Sequence, residues 1–355
     1  MRLRPFLLTP LVIIGAALVL AVAPTPSTWV ERLFSDGLYA RLQPPLTRLS
    51  NVIPFAVFDA LIIFVAIVLI VWFLAACHRP RTHFWRFLLR TGTLAAGLYL
   101  VFLVVWGLNY RREPLRRTLE FRQERVTPEA LAELAGRAVT ELNTIYPELP
   151  PSWPAWDDLR LRLGPSFERA RLSIGPKWPV EPGDPKRSLL NVYFKLTAIE
   201  GMVDPIFLEV LVNQDVLAFE RPFIVAHEWA HLAGRADESE ASFLGWLTCM
   251  HGPAWARYSA WISLYGTIMA GLPGDTQRAL AANLDSGPRR DLQALRERII
   301  RQSMPLARRA SGAAYDRFLK ANRLREGVKS YDLVVTLLLG VEIPEVEKFK
   351  VQSAK

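Results

Sequence analysis

Two histidines four residues apart, with a glutamate after the first, are the residues whose types and spacing most clearly predict chemistry: His227-Glu228-Trp-Ala-His231. Residues four apart on an α-helix lie on one face about 6 Å apart along the axis, so both imidazoles can bind one ion. Zinc makes a bound water more acidic, and a carboxylate beside that water can accept its proton while a carbonyl is attacked. The motif therefore predicts a Zn²⁺ site at His227 and His231 that hydrolyses an amide or peptide bond, with Glu228 as the catalytic base.

The residues around the motif predict a buried helix. The segment from Phe223 to Leu232 is apolar outside the motif, and Gly234 suits the position just past a helix end. The chain has only five histidines, and a chance motif of this kind is expected on the order of once in a few hundred such chains. Two helical histidines can also be ordinary core or surface residues, which is the alternative to metal binding.

The third protein ligand is expected in the segment that follows, because catalytic zinc commonly takes two His and one Glu. From Asp237 the apolar pattern is again helical, and a returning helix would bring its first-turn carboxylates near the metal. We expect Glu240 to be this ligand, since it directly precedes the apolar face that begins at Ala241, and Glu238 is the second candidate. Asp237 and Glu240 also have the spacing of a capping box, in which Glu240 would only satisfy backbone N–H groups.

These residues resemble those of a bacterial membrane-protein family of unknown function, in which N-terminal spans precede an HExxH domain. The resemblance covers most of the chain. It is carried by Pro54-Phe55 with Asp59, by the motif together with Glu240-Ala-Ser-Phe243, and by residues 315–339. It implies a gluzincin-type metallopeptidase whose third ligand is the Glu of Glu-Ala-x-Phe, here Glu240. It implies no particular substrate.

The first third of the chain carries an excess of apolar residues that predicts membrane spans. Apolar residues make up 51% of the chain and concentrate before residue 109. The stretches 6–23, 55–77 and 87–108 are each long enough to cross a bilayer. The first is also compatible with a signal peptide, because Ala21-Val-Ala23 is typical of a cleavage site. Between the first two stretches, a mixture of aromatic residues and arginines favours an amphipathic helix at the membrane surface.

The net charge of +9 favours a lipid bilayer rather than nucleic acid as partner, since the arginines cluster beside the apolar stretches. Arg2, Arg4 and the basic loop at 78–90 predict that the N-terminus and this loop are cytoplasmic. Three spans would then leave residues 109–355 outside the cytoplasm. Arg111, Arg112, Arg116 and Arg117 follow the third span and oppose this orientation, but long domains translocate largely regardless of charge.

Residues 1–108 are therefore predicted to form an α-helical transmembrane anchor, and residues 109–355 an α+β, mostly helical, zincin-like domain of the gluzincin type. Two strand-like segments, 190–194 and 207–213, precede the motif. A strand before such a helix can bind an extended peptide by strand addition, although a core strand fits the pattern equally well. The two cysteines lie in contexts that predict neither a disulfide framework nor a Cys-based metal site.

The leading hypothesis is a multi-pass membrane zinc metallopeptidase that cleaves a peptide or protein in or near the cell envelope. An intramembrane protease is disfavoured, because the apolar run around His227 is short and bounded by charged residues. The main alternative is a non-catalytic zinc-binding membrane sensor or scaffold. Glu228 argues against it, since a structural zinc site usually has four protein ligands and needs no catalytic base.

Overall fold

The structure is a computed structural model that describes residues 5–78, 80–174, 178–322 and 333–343. Most of these residues are helical, as predicted. The first helices are α1 (Pro5–Val22), α2 (Ser27–Trp29), a π-helical segment (Val30–Tyr39), α3 (Ala40–Val52), α4 (Val57–His78), α5 (Pro80–Val105), α6 (Leu115–Thr118), α7 (Pro128–Ile145), α8 (Leu159–Ile174) and α9 (Asn191–Thr197). They are followed by α10 (Arg221–Leu232), α11 (Glu238–Met250), α12 (Ala254–Ala270), α13 (Gly274–Ala282), α14 (Ser286–Gln302), α15 (Pro305–Ala321) and α16 (Leu333–Gly340). Short 3-10 helices span Gly107–Arg111, Gln123–Arg125, Tyr146–Glu148 and Trp156–Asp158.

Two helices are long and apolar enough to cross a membrane: α4, and the part of α5 at Phe84–Val105. They match the predicted spans at 55–77 and 87–108, except that α5 ends at Val105 and a 3-10 helix follows. The predicted first span corresponds to α1, which passes the same test only together with the following helix, Ser27–Val52, across a bend of 114°. Both α1 and α4 pack against α5. This arrangement is compatible with a membrane protein.

The helix that follows α1 packs against the domain that contains the motif. On its inner face, Tyr39 donates a hydrogen bond to the carbonyl of Leu232 at 2.9 Å, and Thr47 donates one to the carbonyl of Leu208 at 3.1 Å. Its outer face exposes large apolar side chains: Trp29, Leu33, Leu49 and Val52. The helix is thus amphipathic, as predicted, but its buried face belongs to the domain core. That core draws on residues from both sides of the predicted boundary at residue 108.

The sheet has three short strands, β1 (Pro185–Lys186), β2 (Gly201–Val203) and β3 (Val210–Val212), in the order β1-β3-β2. β1 is parallel to β3, and β2 is antiparallel to it. The predicted strand at 207–213 is confirmed over Val210–Val212. The predicted strand at 190–194 is wrong, because this segment lies in and beside α9. Its inward side chains, Phe194 and Thr197, are three residues apart, which is a helical spacing.

Helices α10 and α11 lie side by side at the centre, with α8, α12 and α16 packed against α11. Their inward side chains include Trp229, Phe243 and Trp261, each almost fully buried. Gly234 ends α10 with a φ of +77°, a left-handed conformation that favours glycine, and its N–H bonds to the carbonyl of His231 at 2.8 Å. This predicted turn reverses the chain and brings the first turn of α11 against the motif.

Candidate metal and catalytic site

Three ligand atoms converge between α10 and α11: Nε2 of His227, Nε2 of His231 and Oε2 of Glu238. The two nitrogens are 3.1 Å apart, and they lie 3.1 and 3.4 Å from the carboxylate oxygen, respectively. Ligand atoms on a tetrahedral zinc ion with bonds of about 2.0–2.1 Å lie about 3.3 Å from one another. The three atoms therefore have the spacing of three corners of a zinc site. Among the described residues, no other group of three His, Cys, Asp or Glu side chains converges in this way.

The second nitrogen of each histidine ring has a partner that orients the ring. Nδ1 of His231 is 2.6 Å from the carbonyl oxygen of Arg235. Because a carbonyl only accepts hydrogen bonds, Nδ1 carries a proton, and Nε2 is the ring atom that faces Glu238. Nδ1 of His227 is 3.2 Å from the hydroxyl of Ser242. Partners of this kind fix the tautomer and orientation of metal-binding histidines.

The electrostatics of the cluster favour a positive charge. Burial alone lowers the pKa of His231, but the charge and hydrogen bond of Glu238 outweigh it and raise this pKa to about 9. Burial raises the pKa of Glu238, yet the two histidines hold it well below its usual value. Glu238 therefore stays ionised, and its charge favours a positive partner at Nε2 of His231, which can be a proton or a metal ion.

The preference for Glu240 as third ligand is corrected by this geometry, because Glu240 faces away from the histidines. Its Oε1 accepts a hydrogen bond from the N–H of Leu115 at 2.6 Å, and its Oε2 lies 3.6 Å from Nη1 of Arg235. Asp237 does cap α11, through the N–H groups of residues 239 and 240. Residues two apart on a helix point about 200° apart, so only one of the two glutamates can face α10. Because all residues of α11 are buried, its apolar pattern does not indicate which side of the helix faces α10.

Glu228 is buried beside the cluster and has an unsatisfied oxygen. Its Oε2 has no hydrogen-bond partner among the described residues, and burial raises its pKa. Its Oε1 lies against Gly201 of β2, where an added Cβ would be 2.6 Å from this oxygen. Only glycine fits there without displacing the carboxylate. A buried carboxylate with a free acceptor is suited to take a proton from a molecule that enters the site.

The site opens into a cavity of about 420 Å³. Its lining includes His227, Glu228 and Ser242, together with residues 198–201. Apolar side chains also line it: Phe223, Ile224, Leu264, Leu295 and Ile299. A cavity with apolar walls and a few convergent polar groups is typical of a substrate pocket.

One polar residue at the cluster comes from a distant helix. The hydroxyl of Tyr315, on α15, donates a hydrogen bond to Oε1 of Glu238. Tyr315 also contacts Tyr110, whose pKa is raised mainly by burial and further by the charge of Glu238. Tyr315 and Glu238 are 77 positions apart, too far for a spacing motif in the sequence to connect them. The last of the segments that carry the family resemblance, 315–339, begins at Tyr315 and was the signal in the sequence that could have pointed to it.

The profile of a single protein family, described as "Protein of unknown function (DUF3810)", matches residues 34–339. The chain belongs to this family. The DUF3810 match includes α4, α5, the histidine motif and Glu238, so the family unit contains both candidate membrane helices and the candidate metal site. No curated protein and no solved structure matches the chain.

Proposed function

We propose that this DUF3810 protein is a membrane-anchored zinc metallopeptidase with a zincin-like domain. The observation that carries the proposal is the convergence of His227, His231 and Glu238 beside the free, buried carboxylate of Glu228. Three protein ligands leave a fourth position open, as in catalytic rather than structural zinc sites. A bound zinc ion would supply Lewis acidity, which polarises a carbonyl and makes water a better nucleophile at neutral pH.

The roles of the chain's own residues follow from their positions. Glu228 takes the proton of the attacking water on Oε2 and later delivers it to the leaving nitrogen, as a general base and then a general acid. Its raised pKa suits this exchange, because the carboxylate must both accept and release a proton. Gly201 leaves room for the carboxylate, while Ser242 and the Arg235 carbonyl hold the two imidazoles.

The arrangement of the sheet favours an extended peptide as substrate. β2 is at the edge of the sheet and pairs with β3 on one side only. Its first residue, Gly201, lines the cavity and contacts Glu228. A peptide that pairs with the free edge of β2 would run past Glu228, and the apolar wall would receive its side chains. We place this substrate in or near the cell envelope, with the domain outside the cytoplasm.

The direct test compares wild type with Glu228→Gln in the full-length chain, purified in detergent. Both should contain about one zinc, because glutamine keeps the size of a side chain that is not a ligand. Hydrolysis of a digest of cell-envelope proteins, followed by mass spectrometry of new peptide termini, should fall by roughly 10²–10⁴-fold in the variant. Glu133→Gln, the same change at an exposed position on α7, is the matched control and should cleave like wild type.

Three results would contradict the proposal or one of its parts. Wild type without zinc after purification and zinc titration would reject the metal site. Zinc binding without any cleavage by wild type would instead favour the non-catalytic sensor or scaffold. Equal cleavage by wild type and Glu228→Gln would reject Glu228 as the base.

A further inference from the structure

An exposed apolar surface is formed jointly by α9 and α15. We call it the α9–α15 surface and define it by Leu189, Val192, Tyr193, Met304, Leu306 and Phe318, which are 39–77% exposed. The two helices are joined by a hydrogen bond of 2.7 Å between the hydroxyls of Tyr193 and Ser311. They are also joined through the N–H of Met304, which donates to the carbonyl of Leu196 at 2.9 Å. Scattered exposed apolar residues are ordinary, but a contiguous patch calls for a partner.

One end of this surface contacts the beginning of α4. The carboxylate of Asp59, in the first turn of α4, accepts hydrogen bonds from the hydroxyl of Ser188 at 2.6 Å and from the N–H of Leu189 at 2.8 Å. Phe58 and Leu190 both pack against the same small apolar cluster of Ala56, Phe194 and Leu211. Leu189 therefore lies next to the point where α4 would enter a bilayer.

The other end of the surface contacts the end of α5. The ring of Phe318 packs on that of Phe102, with 6.0 Å between centroids, and on that of Tyr110, with 5.7 Å. Phe102 lies within the last turn of the apolar part of α5. Since α4 and α5 are consecutive and pack against each other, the beginning of α4 and the end of α5 lie on the same side of the bilayer. The α9–α15 surface therefore extends from the point where α4 enters the bilayer on that side to the point where α5 leaves it.

Exposed basic residues accompany the apolar ones: Arg187 before α9, and Arg308 and Arg309 on α15. Helices with apolar and basic side chains lie in the interfacial layer of a membrane, where apolar groups enter the acyl boundary and arginines attract anionic headgroups. We propose that the α9–α15 surface rests on the same bilayer that α4 and α5 cross and binds anionic lipid. The lipid contact rests on these two helices being membrane spans and does not depend on peptidase chemistry.

The same helix that would contact the lipid also contacts the metal cluster. Tyr315 on α15 donates a hydrogen bond to Glu238, so α15 lies between the cluster and the bilayer. A helix is about 10 Å in diameter, which places the cluster roughly one helix diameter from the lipid surface. With the proposed peptidase function, this position selects polypeptides that are themselves anchored in or on the membrane, because only their juxtamembrane segments stay at this height.

The test measures the depth of single labelled positions in the full-length chain, with Cys77→Ser to remove the exposed native thiol; Cys249 is buried. Nitroxide labels are introduced by Val192→Cys and Leu306→Cys, and by Ala279→Cys as control. Ala279 is exposed on α13, which contacts the start of α14 through Arg289 and the carbonyl of Ala282. The 17 residues of α14 separate this contact from Met304 by about 25 Å.

The protein is reconstituted in nanodiscs of phosphatidylcholine with phosphatidylglycerol, one chain per disc, and accessibility to oxygen and to a nickel chelate is measured by EPR. The ratio of oxygen to nickel accessibility should be several-fold higher at 192 and 306 than at 279. Arg308→Gln with Arg309→Gln should lower the ratio at 192 in these discs. The same double substitution should change this ratio less in discs of phosphatidylcholine alone. Equal ratios at all three positions would overturn the proposal. So would strong spin–spin broadening at 306 that appears only with two chains per disc, since it would show that a second copy covers the surface.

Discussion

At the scale of single residues, the third ligand of the candidate metal site is decided by which first-turn carboxylate of α11 faces the histidine pair. The spacing of His227 and His231 was sufficient to predict that their rings converge, because both lie on one helix with known geometry. The third position depended on how α11 is rotated about its axis. With α11 buried on all sides, neither apolar pattern nor capping signal could determine that rotation. Glu238 and Glu240 could therefore both be proposed from the sequence, but the sequence could not determine which of them faces the histidines.

Substitution of each glutamate should distinguish a metal ligand from a residue that only stabilises the fold. Glu238→Gln should weaken zinc binding by roughly 100-fold or more, since even partners outside the ligand set are worth 10–100-fold. Glu240→Gln should keep zinc affinity but lower the free energy of unfolding by roughly 3 kcal/mol, because it leaves the buried Arg235 without its carboxylate. Chelator competition and denaturant unfolding in detergent micelles measure the two effects. The reverse pattern would restore Glu240 as the ligand.

Gly201 allows a second test at this scale, one that leaves every candidate ligand in place. Gly201→Ala puts a Cβ 2.6 Å from Oε1 of Glu228, so the carboxylate must move. Zinc content should remain near that of wild type, while peptide cleavage should fall by about 10-fold or more, as expected for a displaced base. Gly266→Ala is the control, because nothing lies within 4 Å of a Cβ there. Equal cleavage by the two variants would show that the position of Glu228 is not critical.

At the scale of elements, the sheet is tied to α4 by a buried ion pair that the sequence did not reveal. Glu209, beside β3, accepts hydrogen bonds from the N–H groups of Val57 and Phe58 at 3.0 and 2.9 Å. Lys186 of β1 lies 2.7 Å from the same carboxylate and also donates to the carbonyl of Ser50 at 2.6 Å. Glu209 thus satisfies the first N–H groups of a candidate membrane helix from more than 150 residues away.

Removing the lysine should therefore loosen the junction between the sheet and α4. Lys186→Met leaves the carboxylate of Glu209 buried without a cation and should lower the free energy of unfolding by roughly 3–5 kcal/mol. Arg278→Met, which breaks an exposed pair with Asp275, should change it by less than about 1 kcal/mol. Denaturant titration in micelles measures both. Adding Glu209→Gln to Lys186→Met should restore part of the loss, and equal effects of the two single variants would contradict the role of the buried pair.

The elements that the sequence predicted well are those with long periodic patterns. The apolar runs of α4 and α5 follow from local rules. The strands are two or three residues long, too short to show alternation. β2 was missed for this reason, and α9 was interpreted as a strand because its apolar residues are dense. Contacts such as Tyr315 with Glu238 arise only from packing and leave no periodic trace.

At the scale of the whole molecule, the structure weakens one objection to the predicted orientation, because two of the four arginines at 111–117 are buried while Arg116 and Arg117 are exposed. Arg111 and Arg112 follow α5 on the proposed outer side, where positive charge is disfavoured. Both are buried, at 8% and 9% exposure. Arg112 forms an ion pair with Glu31, and Arg111 donates to the carbonyl of Leu20 at 3.0 Å. Buried arginines held by such contacts do not act as free charges in a short loop, so the basic residues around the junction of α4 and α5 should dominate the topology.

A reporter enzyme that is active only outside the cytoplasm tests this orientation. Fused after residue 355 it should be active, and fused at Pro80, the first residue of α5, it should be inactive, because the two ends of the antiparallel pair lie on opposite sides of the membrane. A reporter that fluoresces only in the cytoplasm, fused at the same two positions, should give the complementary pattern.

Replacing Arg86 and Arg90 by glutamine should weaken the preference for this orientation, whereas Arg112→Gln should disturb folding through Glu31 without inverting the chain. An active outside reporter at Pro80 together with an inactive one after residue 355 would place the domain in the cytoplasm. The proposed substrates would then have to be cytoplasmic segments of membrane proteins.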